Sequence, residues 1–336
     1  MAEKKQALLI FTKPPLPGVV KTRMTTEYGG FLSMLQAAEF YKCCFYDVCE
    51  MSMHALMELQ AANDAAVAAD PEADKITYDF VVSTTPAESV PNVQALFDAI
   101  GPWPMEIHYL SDKGSSFDEH FNDAFQQLFA QGYEHIVSIG GDVPTMPKAH
   151  LVQAFQWLDY FQSIGKPGFV MAPCQECGTS LVGYSYNTPN MNHTGIYYNM
   201  DGRPALDGYV EKLQEADIPS AYFDPVADVD EVEDLAHAIS CMRAIEQAAK
   251  YQTNLYVPIR TLTWINFMGI KVSTPPNDNH DPRDFLDGEA EAPAEMSEVL
   301  DGMEAPTIEE QQAIAKGMTA IREETAKTNA YEAGKY

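Results

Sequence analysis

The chain of 336 residues carries 21 Lys or Arg against 49 Asp or Glu, a formal net charge of −28, and 46% of its residues are hydrophobic. This length suffices for one large α/β domain with an appendage, and no stretch of about 20 uninterrupted apolar residues predicts a membrane span. The negative charge repels a phosphate backbone and so excludes nucleic acid as a partner.

The first predicted element is a short apolar run at residues 7–11, which lies between a charged amino terminus and a Lys-Pro-Pro segment at 13–15. This run is shorter than the hydrophobic region of a typical signal peptide, which spans about 7–15 residues. We therefore interpret it as a strand and expect a cytoplasmic protein.

Strands and helices alternate from this point to about residue 250. The predicted strands lie at residues 7–12, 78–83, 106–110, 135–140, 168–173 and 180–184. The predicted helices lie at residues 32–59, 93–100, 117–130, 149–161, 207–216 and 231–249. This alternation is typical of a mostly parallel sheet with helices on both faces. The predicted fold class is α/β, a three-layer α/β/α sandwich formed by residues 1–250.

Three segments depart from this alternation. Residues 61–74 are rich in Ala and Asp without periodicity, which indicates an irregular surface connection. Residues 251–272 are rich in β-branched and aromatic side chains, which predicts an extended arm or hairpin packed on the main domain. Residues 273–336 are acidic and interrupted by prolines, which predicts a partly ordered tail with one helix at 307–327.

The six cysteines are too few and too unevenly spaced for a secreted disulfide framework, so we expect reduced thiols. Cys174 and Cys177 form a Cys-x-x-Cys pair that could be half of a zinc site or a redox pair. No second such pair or nearby His pair completes four ligands, and we interpret the two residues as packed thiols.

The loop after the first strand concentrates positive charge in an acidic chain. Lys13, Lys21 and Arg23 lie within eleven residues, together with three prolines and Gly18. Prolines stiffen a loop, glycine lets backbone N–H groups approach a ligand, and Lys and Arg neutralise phosphate. We predict that this loop binds a diphosphate. The alternative is that its cations only pair with neighbouring acids. A P-loop is excluded because Val20 stands where that motif needs Gly.

A second candidate feature follows the strand at 135–140, where a glycine pair precedes Asp142. Ligands of open α/β sheets bind at the carboxyl ends of strands, and a carboxylate there can hold Mg²⁺ or Mn²⁺ against a nucleotide diphosphate. Asp228 or Asp230, in an acidic cluster before the last helix, could complete the metal site. The alternative for all three acids is that they cap a helix or lie at its amino-terminal dipole.

These motifs together resemble one family. They are the first loop with its Lys-Pro-Pro-x-Pro-Gly-x-x-Lys-Thr-Arg sequence at 13–23, the Gly-Gly-Asp-x-Pro turn at 140–144, and the acidic segment at 228–235. The chain resembles the DUF2064 family over about residues 6–250. That family is similar to glycosyltransferases of the GT-A fold and to molybdenum-cofactor and phospholactate nucleotidyltransferases. The resemblance implies a fold of the nucleotide-diphospho-sugar transferase type and a divalent metal.

Two positions depart from the family pattern. The segment 176–181, which the resemblance places by the acceptor pocket, has Glu-Cys-Gly-Thr-Ser-Leu in place of the usual Asp-Gly-Gly-Tyr-Tyr-Leu. Glu176 is a candidate general base for an acceptor hydroxyl. In the helix that contains Ala124, His120 stands where the resemblance implies an Arg that contacts phosphate.

The function implied by the resemblance is a metal-dependent transferase that uses a nucleotide-activated donor. We favour glycosyl transfer from a nucleotide-diphospho-sugar to a small-molecule acceptor. The alternatives are nucleotidyl transfer from a nucleoside triphosphate with release of pyrophosphate, and a non-catalytic nucleotide-binding or assembly module. The oligomeric state stays open, and a homo-oligomer is compatible with the sequence.

Overall fold

The computed structural model of the chain describes residues 3–272, apart from the side chain of Glu176. The predicted acidic tail at 273–336, with its helix at 307–327, lies outside the described residues. Residues 3–272 belong to one compact unit of the chain.

One mixed sheet of seven strands organises residues 3–272. The strands are β1 (Glu3–Thr12), β2 (Lys75–Thr84), β3 (Ile107–Leu110), β4 (Tyr133–Gly140), β5 (Phe169–Pro173), β6 (Thr179–Ser185) and β7 (Ser220–Tyr222). Their order across the sheet is β3-β2-β1-β4-β6-β5-β7. Strands β1 to β4 are parallel, β6 runs antiparallel to β4 and β5, and β7 is parallel to β5. The six predicted strands are present, and sequence reasoning missed β7, which has only three residues.

Seven helices in the described region complete the three layers. They are α1 (Met34–Ala69), α2 (Val90–Asp98), α3 (Phe117–Ala130), α4 (Lys148–Ser163), α5 (Ala205–Glu215), α6 (Val232–Ala248) and α7 (Ile259–Phe267). Alternate residues of β1 point to opposite faces, so that Leu8 and Ile10 pack with α1, α2 and α4, while Ala7 and Leu9 pack with α3 and α5. The predicted α/β/α sandwich with a mostly parallel sheet is confirmed.

The end of α1 corrects one prediction. Residues 61–69, which we predicted as part of an irregular connection, continue the helix to Ala69. Alanine has the highest helix propensity, so this stretch needs no apolar periodicity to stay helical. The side chain of Asn63 accepts a hydrogen bond from the backbone N–H of Ile76 at 2.9 Å, and Gln60 Nε2 donates to the Ile76 carbonyl at 3.1 Å. These contacts tie the end of α1 to β2.

The segment 251–272 corrects a second prediction. All of its residues are described, and they contain the helix α7 but no strand and therefore no hairpin. Leu262 and Ile265 on α7 are buried against Phe40 of α1 and against α6. Its β-branched and aromatic side chains therefore cover a helical surface, which outweighs their preference for strands.

A buried histidine lies between α3 and α5. His193 is fully buried, with its Nδ1 atom 2.7 Å from the Tyr209 hydroxyl and its backbone N–H donating to Asn122 Oδ1 at 2.6 Å. Burial, with a smaller contribution from the charge of Lys212, lowers the pKa of His193 to about 3. The imidazole is therefore neutral in the folded protein at neutral pH.

His193 should make the fold sensitive to acid. Because its pKa is lower in the folded than in the unfolded protein, its neutral form contributes stability above about pH 6.5 that is lost as the pH falls towards 3. We expect the free energy of unfolding of a His193→Gln variant to fall less steeply between pH 6.5 and 4 than that of the parent, by about 1 kcal/mol per pH unit. Urea unfolding at several pH values measures this slope. The control is His237→Gln, a variant of an exposed histidine, whose free energy of unfolding should depend on pH as that of the parent does. If the curve of His193→Gln is parallel to that of the parent, the prediction is wrong.

Candidate functional site

Three segments of the chain meet at the carboxyl ends of β1 and β4. The two strands are adjacent and parallel, with Phe11 paired to Gly140, so the loop after β1 and the turn after β4 lie side by side. The acidic segment before α6 joins them, because the backbone N–H of Val229 donates to the carbonyl of Asp142 at 3.0 Å. The fold therefore brings the first loop, the Gly-Gly-Asp turn and the acidic cluster to one place.

Lys21 is the centre of this arrangement. Its Nζ atom lies 2.5 Å from Asp142 Oδ2 and 2.7 Å from Asp230 Oδ1, and only 6% of its side chain is exposed. The backbone of Lys21 is left-handed, with φ 51° and ψ 35°, a conformation that costs energy for a residue other than glycine. This strained backbone aims the ammonium group inward, between the two carboxylates.

The charges of this cluster shift the pKa values of its members. Burial favours the neutral amine of Lys21, but the charges of Asp142 and Asp230 outweigh burial and raise its pKa above the ordinary value. Burial and the charges of the same two neighbours raise the pKa of Asp228 to about 7. Burial opposes ionisation of Asp230 too, yet the charge of Lys21 lowers the pKa of Asp230. Three carboxyl groups thus lie within electrostatic reach of one buried ammonium.

The other predicted phosphate contacts lie closer to solvent. The side chain of Arg23 is 60% exposed, with its NH1 atom 3.6 Å from both Asp230 Oδ2 and Glu231 Oε1. Lys13 and Gly18 are exposed, and Gly18 has the positive φ of 77° that glycine adopts readily. The alternative, that the loop cations pair with neighbouring acids, therefore applies to Lys21 and in part to Arg23.

The acids of the site do not serve as helix caps. The N-cap position of α4 is Pro147, which leaves Asp142 outside the cap. The amino terminus of α6 is closed by a capping box formed by Glu231 and Asp234. Asp142, Asp228 and Asp230 therefore do not cap a helix, although Asp230 directly precedes the N-cap residue of α6.

The segment with the predicted general base lies beside this cluster. Gln175 fixes it, because its side-chain amide donates to the backbone carbonyl of Asp228 at 2.7 Å and accepts from the Asp228 N–H at 3.2 Å. The backbone of Glu176 lies in the short 3₁₀ turn Gln175–Cys177, and its side chain is outside the described part of the chain. Cys174 and Cys177 are free thiols, and burial raises the pKa of Cys174 to about 12, so Cys174 stays protonated.

Sequence reasoning missed the residue that lies under the ammonium group. Lys21 Nζ lies 5.5 Å from the centroid of the Tyr41 ring on α1, and the Tyr41 hydroxyl lies 2.5 Å from Thr12 Oγ1. A Cβ atom on Gly141 would come within 2.8 Å of this hydroxyl, which explains glycine at that position. The periodicity of α1 places Tyr41 on a buried face but gives no sign of the lysine above it.

Carboxylate oxygens are the ligands that Mg²⁺ and Mn²⁺ prefer, so the chemistry of Asp142, Asp228 and Asp230 suits either ion. As the side chains stand, however, no group of three or more His, Cys, Asp or Glu residues within 3–272 is placed to hold a metal ion. Lys21 itself stands between two of the three carboxylates. A divalent cation fits this site only where the ammonium has moved away.

The fold is shared with a solved structure described as a nucleotide-diphospho-sugar transferase. A protein from Desulfovibrio desulfuricans G20, provisionally described as a nucleotide-diphospho-sugar transferase, superposes with a TM-score of 0.54 at 20% identity, over 79% of this chain and 95% of its own. A cytidylyltransferase from Leptospira borgpetersenii gives a TM-score of 0.42 at 13% identity, over 82% of this chain and 100% of its own. The first similarity shows the fold, and the second is too distant to support an argument.

The family resemblance is confirmed for the middle of the chain. The model of the family described as an uncharacterized protein conserved in bacteria (DUF2064) matches residues 69–200. This range contains Asp142 and both departures from the family pattern, and it excludes the first loop and the acids at 228–230. No curated protein shows significant sequence similarity to the chain. Within residues 3–272, no helix is long and apolar enough to cross a membrane.

Proposed function

We propose that this chain is a transferase that uses a nucleotide-activated donor, with glycosyl transfer from a nucleotide-diphospho-sugar as its reaction. The observation that carries the proposal is the buried Lys21 ammonium, held in a strained backbone conformation between Asp142 and Asp230 at the carboxyl edge of the sheet. Strained residues and buried charges that the fold alone does not require are concentrated at functional sites. The ligands of open α/β sheets bind at this edge.

The first loop supplies the groups that would bind the diphosphate. Lys21 belongs to this loop, and Arg23 and Lys13 of the same loop are already exposed. A diphosphate competes with the two carboxylates for Lys21 with a comparable negative charge, and backbone N–H groups around Gly18 add further donors. We propose that the ligand draws Lys21 away from the acids, and that Lys21 and Arg23 then stabilise the charge that develops on the departing nucleoside diphosphate.

Movement of Lys21 would leave the carboxylates of Asp142 and Asp230 facing each other with Asp228 nearby. These three residues would hold Mg²⁺ or Mn²⁺, which neutralises charge on the diphosphate when it is bound. Glu176, on the turn fixed by Gln175, is proposed as the base that takes the proton from the acceptor hydroxyl.

A ligand screen tests the proposal directly. Nucleoside diphosphates and nucleotide sugars at about 100 times their dissociation constant should raise the melting temperature by about 5 °C, and Mn²⁺ should increase the shift. In an Asp142→Ala variant, the part of the shift that depends on Mn²⁺ should disappear while the protein stays folded. An Asp98→Ala variant at the exposed end of α2 serves as the matched control.

Product analysis then separates the reactions. Release of a nucleoside diphosphate from a nucleotide sugar supports glycosyl transfer, and release of pyrophosphate from a nucleoside triphosphate supports nucleotidyl transfer instead. Binding without either product indicates a non-catalytic module. An Asp142→Ala variant with an unchanged Mn²⁺-dependent shift would show that the carboxylate has no part in metal binding.

A further inference from the structure

A second polar cluster lies at the same edge of the sheet, on the other side of β1. Ser83 near the end of β2 donates to Asp112 Oδ2 at 2.6 Å, and Asp112 Oδ1 lies 2.7 Å from Nδ1 of His120 on α3. The Asp112 side chain is completely buried, whereas 22% of the His120 side chain is exposed. A buried carboxylate thus connects a buried hydroxyl to an imidazole that reaches solvent.

The hydrogen bonds assign the tautomer of His120. An ionised carboxylate only accepts hydrogen bonds, so the proton of the neutral imidazole is on Nδ1 and the lone pair is on Nε2. No residue within 3–272 makes a hydrogen bond to Nε2 of His120, and this atom is not enclosed. The cluster therefore presents one oriented hydrogen-bond acceptor at the sheet edge. In this tautomer Nε2 cannot donate to a phosphate oxygen, as the Arg implied by the family resemblance would.

The loop that contains Asp112 has further ties besides this cluster. The loop between β3 and α3 is already tied to the helix by Ser115, which donates through its N–H and its hydroxyl to Glu119 Oε2. Lys113 N–H donates to Asp123 Oδ2 at 2.9 Å, which adds a further tie. A role in orienting His120 explains the buried Asp112 better than a role in loop structure.

An aromatic ring is exposed beside the acceptor. Phe117 lies three residues before His120 on α3, which places the two side chains next to each other on the helix surface. Its ring is 40% exposed, and it is held edge-on by Phe11 at 5.3 Å and by Tyr197 at 4.9 Å between ring centroids. A fixed, partly exposed ring offers a stacking surface for a planar base.

The position of the cluster along the sheet edge points to its ligand. Neighbouring strands are about 4.8 Å apart, so β2 and β4 on either side of β1 are separated by about 10 Å. A nucleotide with its phosphates over the loop after β1 and its distal phosphate towards Asp142 has its nucleoside over β2 and β3. We propose that His120, positioned by Asp112, accepts a hydrogen bond from the nucleoside and that Phe117 stacks on its base. This inference rests on the proposed function.

Binding measurements on two variants and a control test the inference. His120→Ala should weaken the binding of nucleoside diphosphates by about five- to tenfold, because one hydrogen bond is lost, and should leave the binding of inorganic pyrophosphate unchanged. Asp112→Ala keeps the His120 ring but removes the acceptor that fixes its tautomer, so it should show the same selective loss. His108→Ala removes another histidine that lies near a carboxylate, Asp79, at 3.8 Å, and should match the parent.

The 2′-deoxy forms of the nucleoside diphosphates test which group of the nucleoside donates the hydrogen bond to His120. If the effect of His120→Ala disappears with them, the hydrogen-bond donor is the 2′-hydroxyl, and if it persists, the donor is the 3′-hydroxyl or a group on the base. Equal affinities of parent and His120→Ala for nucleoside diphosphates would overturn the inference alone. Equal losses for pyrophosphate would overturn it too, because His120 would then be a phosphate ligand. A parent protein that binds no nucleotide would overturn both this inference and the proposed function.

Discussion

Replacing Lys21 by Ala is expected to change the affinities for two ligands in opposite directions. Nucleoside diphosphate binding should weaken at least about tenfold, because a charge-assisted contact is lost. Mn²⁺ binding without nucleotide should strengthen at least about tenfold, because the ammonium that lies 2.5 Å from Asp142 and 2.7 Å from Asp230 no longer repels the ion. A lysine that only paired with the two acids would not weaken nucleotide binding when removed.

Isothermal titration calorimetry of the parent and the variant measures both effects. Each protein is titrated with Mn²⁺ alone, with a nucleoside diphosphate alone, and with each ligand in the presence of the other. The parent should bind Mn²⁺ more tightly when nucleotide is present, since the nucleotide draws Lys21 away, and this coupling should be reduced in the variant. Lys42→Ala is the matched control, because Lys42 is also paired with an acid, Glu39, at 2.7 Å, but on α1 away from the site.

Two outcomes would contradict this account of Lys21. If the Lys21→Ala variant binds nucleoside diphosphates as well as the parent does but unfolds more easily, Lys21 is a structural ion-pair partner of the two acids. If its affinity for Mn²⁺ alone does not rise, the carboxylates do not form a metal site that the ammonium blocks.

Much of the candidate site could be predicted from the sequence because strand order determines it. Parallel strands end at the same edge of a sheet, so the residues that follow β1 and β4 were expected at that edge, and the adjacency of the two strands in the structure brings them together. The direct pairing of Lys21 with Asp142 and Asp230 could not be predicted in the same way. It depends on the left-handed backbone of Lys21 and on the backbone contact between Val229 and Asp142, and neither has a local sequence signal.

The cluster around His120 shows a similar limit. Ser83 lies on β2, Asp112 in the loop between β3 and α3, and His120 on α3, so that only the fold brings the three together. Sequence comparison with the family registered only that an expected Arg was missing. The structure adds what replaces it, a histidine whose tautomer is fixed by a buried carboxylate.

Helix α7 was mispredicted because the residue that caps its amino terminus lies elsewhere in the chain. The N-cap position of α7 is Pro258, which offers no side-chain hydrogen bond. Asp47 on α1 takes over this role, accepting from the backbone N–H of Thr261 at 2.8 Å and from that of Arg260 at 3.2 Å. A cap supplied across 213 residues of sequence cannot be recognised from the local pattern.

Asp47→Ala should therefore destabilise the packing of α7 far more than a surface substitution does. The Asp47 carboxylate, only 1% exposed, also accepts from the Thr261 hydroxyl at 2.7 Å and from Arg260 NH1 at 3.2 Å. Its removal leaves buried donors unsatisfied and an arginine with one carboxylate partner fewer, which costs about 3 kcal/mol. Urea unfolding at pH 7 measures the loss.

Asp64→Ala is the control, since Asp64 lies on the same helix but is exposed and should change the free energy of unfolding by less than about 0.5 kcal/mol. Glu50→Ala should have an intermediate effect, because Glu50 is the other carboxylate partner of Arg260, at 2.6 Å, and accepts from the Tyr256 hydroxyl at 2.7 Å. If Asp47→Ala is no more destabilising than Asp64→Ala, α7 does not depend on this cap. If the loss is large, proteolysis of Asp47→Ala should cut first at residues 251–272, because α7 is then the first element to detach.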